Sequence, residues 1–165
     1  MASISILEIL EDTTVDGPGL RTTIYCAGCP NHCPGCHNPQ TWDIANGHIT
    51  DIDDILETIL ADPFADVTFS GGDPMFQAEG FTELAKKIKQ NSCKNIWCYT
   101  GYLFEQLMEN PAQRALLEHI DVLVDGRFVE SLKSDELRFR GSSNQRVLDI
   151  LESLRQGKAV TLEGF

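Results

Sequence analysis

Thr22-Thr23-Ile24-Tyr25-Cys26-Ala27-Gly28-Cys29-Pro30-Asn31-His32-Cys33-Pro34-Gly35-Cys36 falls into two halves of opposite character. Thr22 to Cys26 is short, β-branched and aromatic, as a strand should be. It runs without a spacer into a C-x3-C-x2-C loop made by Cys29, Cys33 and Cys36. A strand that ends in a cluster of metal-ligating side chains fits an α/β sheet, in which ligands bind beyond the carboxyl ends of the strands.

Working outward, strand and helix alternate. Ile4 to Leu10 reads as an extra edge strand. Ile52, Ile55, Leu56, Ile59 and Leu60 recur at helical spacing behind a capping box of Thr50 and Asp53, with Pro63 just beyond. Val67 to Ser70 is a second strand, and the helix after it has an apolar stripe of Phe81, Leu84, Ala85 and Ile88 opposite Lys86, Lys87 and Lys89. Ile96 to Thr100 is a third strand, Leu103 to His119 is helical with an interruption at Pro111, and Val122 to Asp125 is a fourth strand. Val147, Leu148, Leu151 and Leu154 mark a last helix. This order predicts a mostly parallel sheet with right-handed crossovers.

The chain has 165 residues, which suits a single domain over 1–165 with one core. A full eight-stranded α/β barrel takes about 250 residues, so a barrel-like arrangement here must be incomplete and open on one side. A formal charge of −12 argues against nucleic acid as the main partner. No apolar run approaches membrane-spanning length, and Glu8, Glu11 and Asp12 stand where a signal peptide would carry basic residues. A soluble, cytoplasmic protein is expected. Of six cysteines, four crowd between Cys26 and Cys36, which in a cytosolic chain points to metal rather than to disulfides.

Three clustered thiolates can hold three irons of a [4Fe-4S] cubane and leave the fourth iron open to a substrate. The alternative takes Cys26 as a fourth ligand, with His32 and His37 in reserve, and makes a closed zinc or electron-transfer site. Against it, Cys26 ends an apolar strand, where a free cysteine packs as a small hydrophobe. Core packing is also the reading for Cys93 and Cys98.

All four strands deliver unusual residues to one rim. Gly71 and Gly72 follow the second strand, and residues without a Cβ let backbone approach a ligand closely. Asp73 and Pro74 complete either that site or an ordinary turn. Thr100 and Asp125 could bind ribose hydroxyls, a methionine moiety or a cation, and Arg127 could meet a carboxylate. Each is equally read as a turn or capping residue. Arg140 to Gln145 is a polar loop without periodicity.

The cysteine trio resembles the signature loop of the radical S-adenosylmethionine superfamily. Asp16-Gly17-Pro18-Gly19, Cys36-His37-Asn38 and Trp42-Asp43 resemble its glycyl-radical-enzyme activases. Within that group, Ser70-Gly71-Gly72-Asp73-Pro74, Thr100-Gly101-Tyr102, Val124-Asp125-Gly126-Arg127-Phe128 and Arg140-Gly141-Ser142-Ser143-Asn144-Gln145 are similar to the activating proteins of anaerobic ribonucleotide reductase. The resemblance implies an incomplete α/β barrel of the radical S-adenosylmethionine type with one [4Fe-4S] cluster on Cys29, Cys33 and Cys36. It implies an S-adenosyl-L-methionine site that draws on Gly35, Cys36, His37, Gly71, Gly72, Asp73, Thr100, Asp125 and Arg127. Gly35 departs from the aromatic residue that many superfamily members carry before the third cysteine, so His37 or nearby backbone would replace its adenine contact.

The implied activity is reductive cleavage of S-adenosylmethionine and transfer of the radical to a glycine Cα. Its partner would be the large subunit of anaerobic ribonucleotide reductase, its electron source a low-potential protein such as flavodoxin, and its partner-facing residues Arg140, Ser142, Ser143 and Asn144. A glycine-bearing loop would enter through the gap in the barrel. An activase of a formate-lyase type enzyme would share all of this chemistry and differ in partner.

Overall fold

The computed structural model describes residues 2–29 and 43–165. Its centre is β2 (Arg21–Cys26), β4 (Asp66–Gly71), β5 (Ile96–Tyr99) and β6 (Val122–Asp125), parallel neighbours in chain order. Helices α1 (Ile52–Ala61), α2 (Ala78–Asn91), α3 (Phe104–Met108) and α4 (Pro111–Leu117) lie in the crossovers. Three antiparallel strands flank this block. They are β1 (Ser3–Thr13) beside β2, β3 (His48–Asp51) beside β1, and β7 (Arg146–Asp149) beside β6. The described residues thus form one seven-stranded open sheet, β3-β1-β2-β4-β5-β6-β7, an α/β fold of mixed direction.

The two faces of the sheet are covered differently. Ile24, Cys26, Val67, Phe69, Ile96, Cys98, Leu123 and Leu148 point to one face and pack against apolar residues of every helix, including α5 (Ile150–Gln156). On the other face, Trp97, Val122, Val124 and Val147 meet Phe139, from the connection between β6 and β7, and Leu162 and Phe165, from the segment after α5. Outside β7, the Asp149 N–H donates to Val160 O at 2.9 Å and the Leu162 N–H donates to Val147 O at 2.8 Å, so a short segment covers that edge.

Four expectations need correction. Ile4 to Leu10 is a strand, but its first half is not the edge, because β3 pairs outside Ser3 to Ile6; four polar-rich residues give no periodic signal of their own. The cap of α1 is Asp51, whose Oδ1 accepts from the Asp53 N–H at 2.8 Å, while Thr50 is still in β3. Val147 and Leu148 belong to a strand with both faces covered, which makes adjacent positions apolar and mimics a helix. The helix starts only after Asp149, whose Oδ1 accepts from the Glu152 N–H at 3.1 Å. Cys98 is buried as expected, but Cys93 is exposed in the turn between α2 and β5.

Arg21 locks the amino ends of the parallel strands. It is 1% exposed, and its guanidinium donates to Pro18 O, Thr68 Oγ1, Val67 O, Asn95 O and Asn95 Oδ1 at 2.7–3.1 Å. It lies 5.6 Å from the Trp97 ring centre. A buried charge persists only where acceptors replace its water, and here backbone carbonyls supply most of them. Gly17, at φ +131°, lies against it; a Cβ there would sit 2.8 Å from Arg21 Cδ. The Asp16–Gly19 turn is thereby seated on the face of the sheet that carries no helices.

Candidate cluster and cofactor site

Register brings the strand ends level. Cys26 pairs with Gly71, Phe69 with Cys98, and Tyr99 with Val124, so the residues after β2, β4, β5 and β6 emerge side by side. They border a cavity of about 450 Å³. Cys29, Gly71, Gly72, Asp73, Thr100, Gly101 and Gly126 line its strand-end side. Asp16, Tyr99, Phe128, Lys133, Asp135, Phe139, Arg140 and Gln145 are among the residues that complete it. The cavity volume lies within the range of small-molecule sites.

The loop that delivers Cys29 is zipped to the loop after β4. The Gly72 N–H donates to Cys26 O at 2.8 Å, and the Asp73 N–H donates to Gly28 O at 2.7 Å. Gly71 has φ +108°, and a Cβ on it would lie 2.4 Å from Cys26 N and 2.5 Å from Cys26 O. Close approach to β2 therefore accounts for glycine at position 71 before any ligand is considered.

Asp73 ties β4 to β5. Its carboxylate is 1% exposed and accepts from the Met75 N–H at 3.0 Å, the Gly101 N–H at 2.9 Å, and the Thr100 hydroxyl at 2.8 and 3.0 Å. Burial pushes its carboxyl up to about 6, against the pull of the Gly101, Thr100 and Met75 donors. Thr100 Oγ1 also accepts from the Tyr102 N–H at 3.1 Å. Thr100 therefore bears on the cavity chiefly by holding Asp73.

Asp125 is fully buried and is not among the cavity-lining residues. Its Oδ2 accepts from the Phe104 N–H at 2.8 Å, which caps α3, and it pairs with Arg146 at 2.5–3.0 Å. Arg146 reaches on to Glu105 at 2.8 Å. The capping role that sequence left open for Asp125 is thus occupied, and Gly126, at φ +98°, is what β6 presents to the cavity. Arg127 is exposed and also lies off the lining; its carbonyl accepts from Asn144 Nδ2 at 2.8 Å.

Arg140 does line the cavity, with Nη1 donating to Gln145 O. Ser142 is fully buried and its Oγ accepts from the Val129 N–H at 3.1 Å, whereas Ser143 and Asn144 are exposed outside the cavity. Cys33, Gly35, Cys36 and His37 lie outside the described residues. Cys26 is wholly buried in the core on the helical side, and burial, reinforced by Asp73, pushes its thiol well up. Its place among the buried apolar residues is the core role that the sequence reading gave it.

Sequence reading assigned no role to Asp16 or Tyr99. Asp16 Oδ2 accepts from Thr23 Oγ1 at 3.2 Å and from the Tyr25 hydroxyl, and its carbonyl accepts from Thr68 Oγ1 at 2.7 Å. Burial first, then Asp16, push the Tyr25 phenol up. Tyr99 donates to Phe139 O at 2.7 Å and forms an aromatic wall. The signal for these residues was strand alternation. Tyr25 and Tyr99 each stand one position from a core cysteine and so face the other side of the sheet.

Carboxylates, cations and aromatic rings around one cavity fit a small zwitterion with a ring system, and Cys29 at its wall fits a cluster ligand next to that molecule. A cysteine set at the end of a parallel strand, with its first member, Cys29, on the wall of such a cavity, suits an iron-sulfur protein. In agreement, residues 15–148 match the family model described as a 4Fe-4S single cluster domain. The anaerobic ribonucleoside-triphosphate reductase-activating protein of Vibrio cholerae is 39% identical over 140 residues, covering 79% of this chain and 88% of that protein. Its namesake in Escherichia coli K12 is 38% identical over 143 residues, covering 81% and 90%. That of Enterobacteria phage T4 is 33% identical over 139 residues, covering 81% and 86%. The chain belongs to the family of anaerobic ribonucleoside-triphosphate reductase-activating proteins.

No helix among the described residues is long and apolar enough to cross a membrane.

Proposed function

We propose that the chain activates anaerobic ribonucleoside-triphosphate reductase by generating a glycyl radical on its large subunit. The observation that carries this reading is the convergence of Cys29 with the ends of β4, β5 and β6 on one cavity. A [4Fe-4S] cluster would be held by Cys29, Cys33 and Cys36, and S-adenosylmethionine would occupy the cavity. When bound, this pair supplies an electron and a sulfonium whose reductive cleavage yields the radical that takes hydrogen from glycine.

The protein's own contribution is holding and shielding. The bond from the Asp73 N–H to Gly28 O fixes the approach to Cys29, and Asp73 couples that loop to β5. Gly72, Gly101 and Gly126 offer backbone at close range, while Tyr99 and Phe139 wall the cavity with rings. Sequential strand order, with helices packed on one face, supports an incomplete barrel of the radical S-adenosylmethionine type. In this reading residues 1–165 act as one domain in the cytoplasm. A low-potential protein such as flavodoxin supplies the electron, and the gap in the barrel admits the glycine loop.

Anaerobic electron paramagnetic resonance tests the proposal. The reduced chain, given S-adenosylmethionine and the reductase, is expected to produce a glycyl doublet that is absent when the radical-site glycine is alanine. Cleavage without that doublet, together with activation of a formate-lyase type partner, would overturn the choice of substrate and keep the chemistry.

A further inference from the structure

The connection between β6 and β7, residues 126–145, is 20 residues long and contributes half of the described residues that line the cavity. Connections of this length inside a compact fold are usually functional rather than incidental. Its two limbs are joined by the Ser143 N–H to Leu132 O at 3.0 Å, the Ser134 N–H to Gly141 O at 3.4 Å, the Val129 N–H to Ser142 Oγ and Asn144 Nδ2 to Arg127 O, and one further side chain carries the tie back to the strand end itself. Gln145 Oε1 accepts from the Gly141 N–H at 2.8 Å and the Ser142 N–H at 3.1 Å, while Nε2 donates to Gly126 O at 3.0 Å. Gln145 is half-buried and itself lines the cavity. One amide thus fastens the returning limb to Gly126, the residue that leaves β6. Its neighbour Arg146 fastens the other side of the same strand end through Asp125.

We infer that Gln145 is a positioning residue for the cofactor. By seating the 140–142 limb on Gly126, it sets the width of the cavity and therefore the affinity for S-adenosylmethionine. This rests on the proposed reading of the cavity. A merely structural glutamine would lower the melting temperature and leave affinity in the folded protein unchanged. A positioning glutamine changes affinity itself, because a wall that sits loosely must be ordered when the ligand binds.

Two substitutions separate the bonds. Gln145→Met keeps the length and removes all three. Gln145→Glu keeps an acceptor for Gly141 and Ser142 but sets a carboxylate oxygen against Gly126 O, so only the bridge to β6 is lost. Titration of S-adenosylmethionine into the reconstituted full chain, below the melting transition of each variant, is expected to give a Kd raised about tenfold in both, with wild-type iron content. A wild-type Kd in Gln145→Glu would overturn the inference.

Hydrogen exchange on the unaltered protein gives a second readout that needs no variant. S-adenosylmethionine is expected to slow exchange in peptides covering Gly141 and Ser142, and unchanged exchange with the ligand bound would overturn the inference alone. Failure of the wild-type protein to bind S-adenosylmethionine would overturn the cavity assignment as well.

Discussion

Asp73→Asn isolates the charge of the cavity's most enclosed carboxylate. Burial raises the Asp73 carboxyl from 3.8 to about 6 in the folded chain. A folded-state value above the unfolded one means that the native state holds the proton more tightly. The stability this contributes is complete below about pH 4 and is lost as pH rises through 6. At 1.36 kcal/mol per unit, a shift of about two units amounts to about 3 kcal/mol over the whole window, of which about 1.4 kcal/mol falls above pH 5.

Asparagine cannot titrate, so the variant escapes this loss. It has a fixed cost of its own, because one amide oxygen cannot serve both the Met75 and Gly101 N–H groups. The donor left over costs about 1–3 kcal/mol at every pH. The measurement is urea unfolding of the iron-free chain, wild type and variant, between pH 5 and 7.5. The variant is expected to gain about 1.4 kcal/mol on the wild type across that range, whatever the fixed offset. A stability difference that stays flat with pH would refute the assignment of a raised carboxyl to Asp73.

Alanine at Cys29, Cys33 or Cys36 is expected to abolish iron retention after anaerobic reconstitution, and alanine at Cys26 to preserve it at some cost in melting temperature. Loss of iron in Cys26→Ala alone would restore the four-thiolate site. Gly71→Ala should destabilise the chain by about 3 kcal/mol or more, since the methyl group meets the β2 backbone at a positive φ. Gly72→Val should instead keep the fold and the cluster spectrum and weaken S-adenosylmethionine binding. Thermal melts with ligand titration separate the two, and equal loss of fold and affinity at position 72 would make it a structural turn as well.

The parallel centre of the fold was legible because Thr22–Cys26, Val67–Ser70, Ile96–Thr100 and Val122–Asp125 are apolar runs with punctuated ends. The shared rim followed from strand direction, and the cavity borders Cys29, Gly71 and Thr100; at the fourth strand the reading named Asp125 and Arg127, whereas the residue on the lining is Gly126. Position along the chain could not reveal which polar side chains spend their bonding on the scaffold. Asp125 and Thr100 look alike in sequence, yet Asp125 caps α3 and pairs with Arg146, while Thr100 serves Asp73 at the cavity edge. Arg21 was invisible for a related reason. An arginine next to a strand reads as surface until the carbonyls that surround it are known.

The reversal of β7 sets a boundary on how this architecture can grow. A further parallel strand-helix unit needs a parallel edge to extend, and β7 offers an antiparallel one already occupied by Val160 and Leu162. The chain therefore stops building in that direction with one face of its sheet still unwrapped by helices. What covers that face is irregular chain carrying Phe139, Leu162 and Phe165, which can vary in length and sequence without disturbing the parallel strands beneath it.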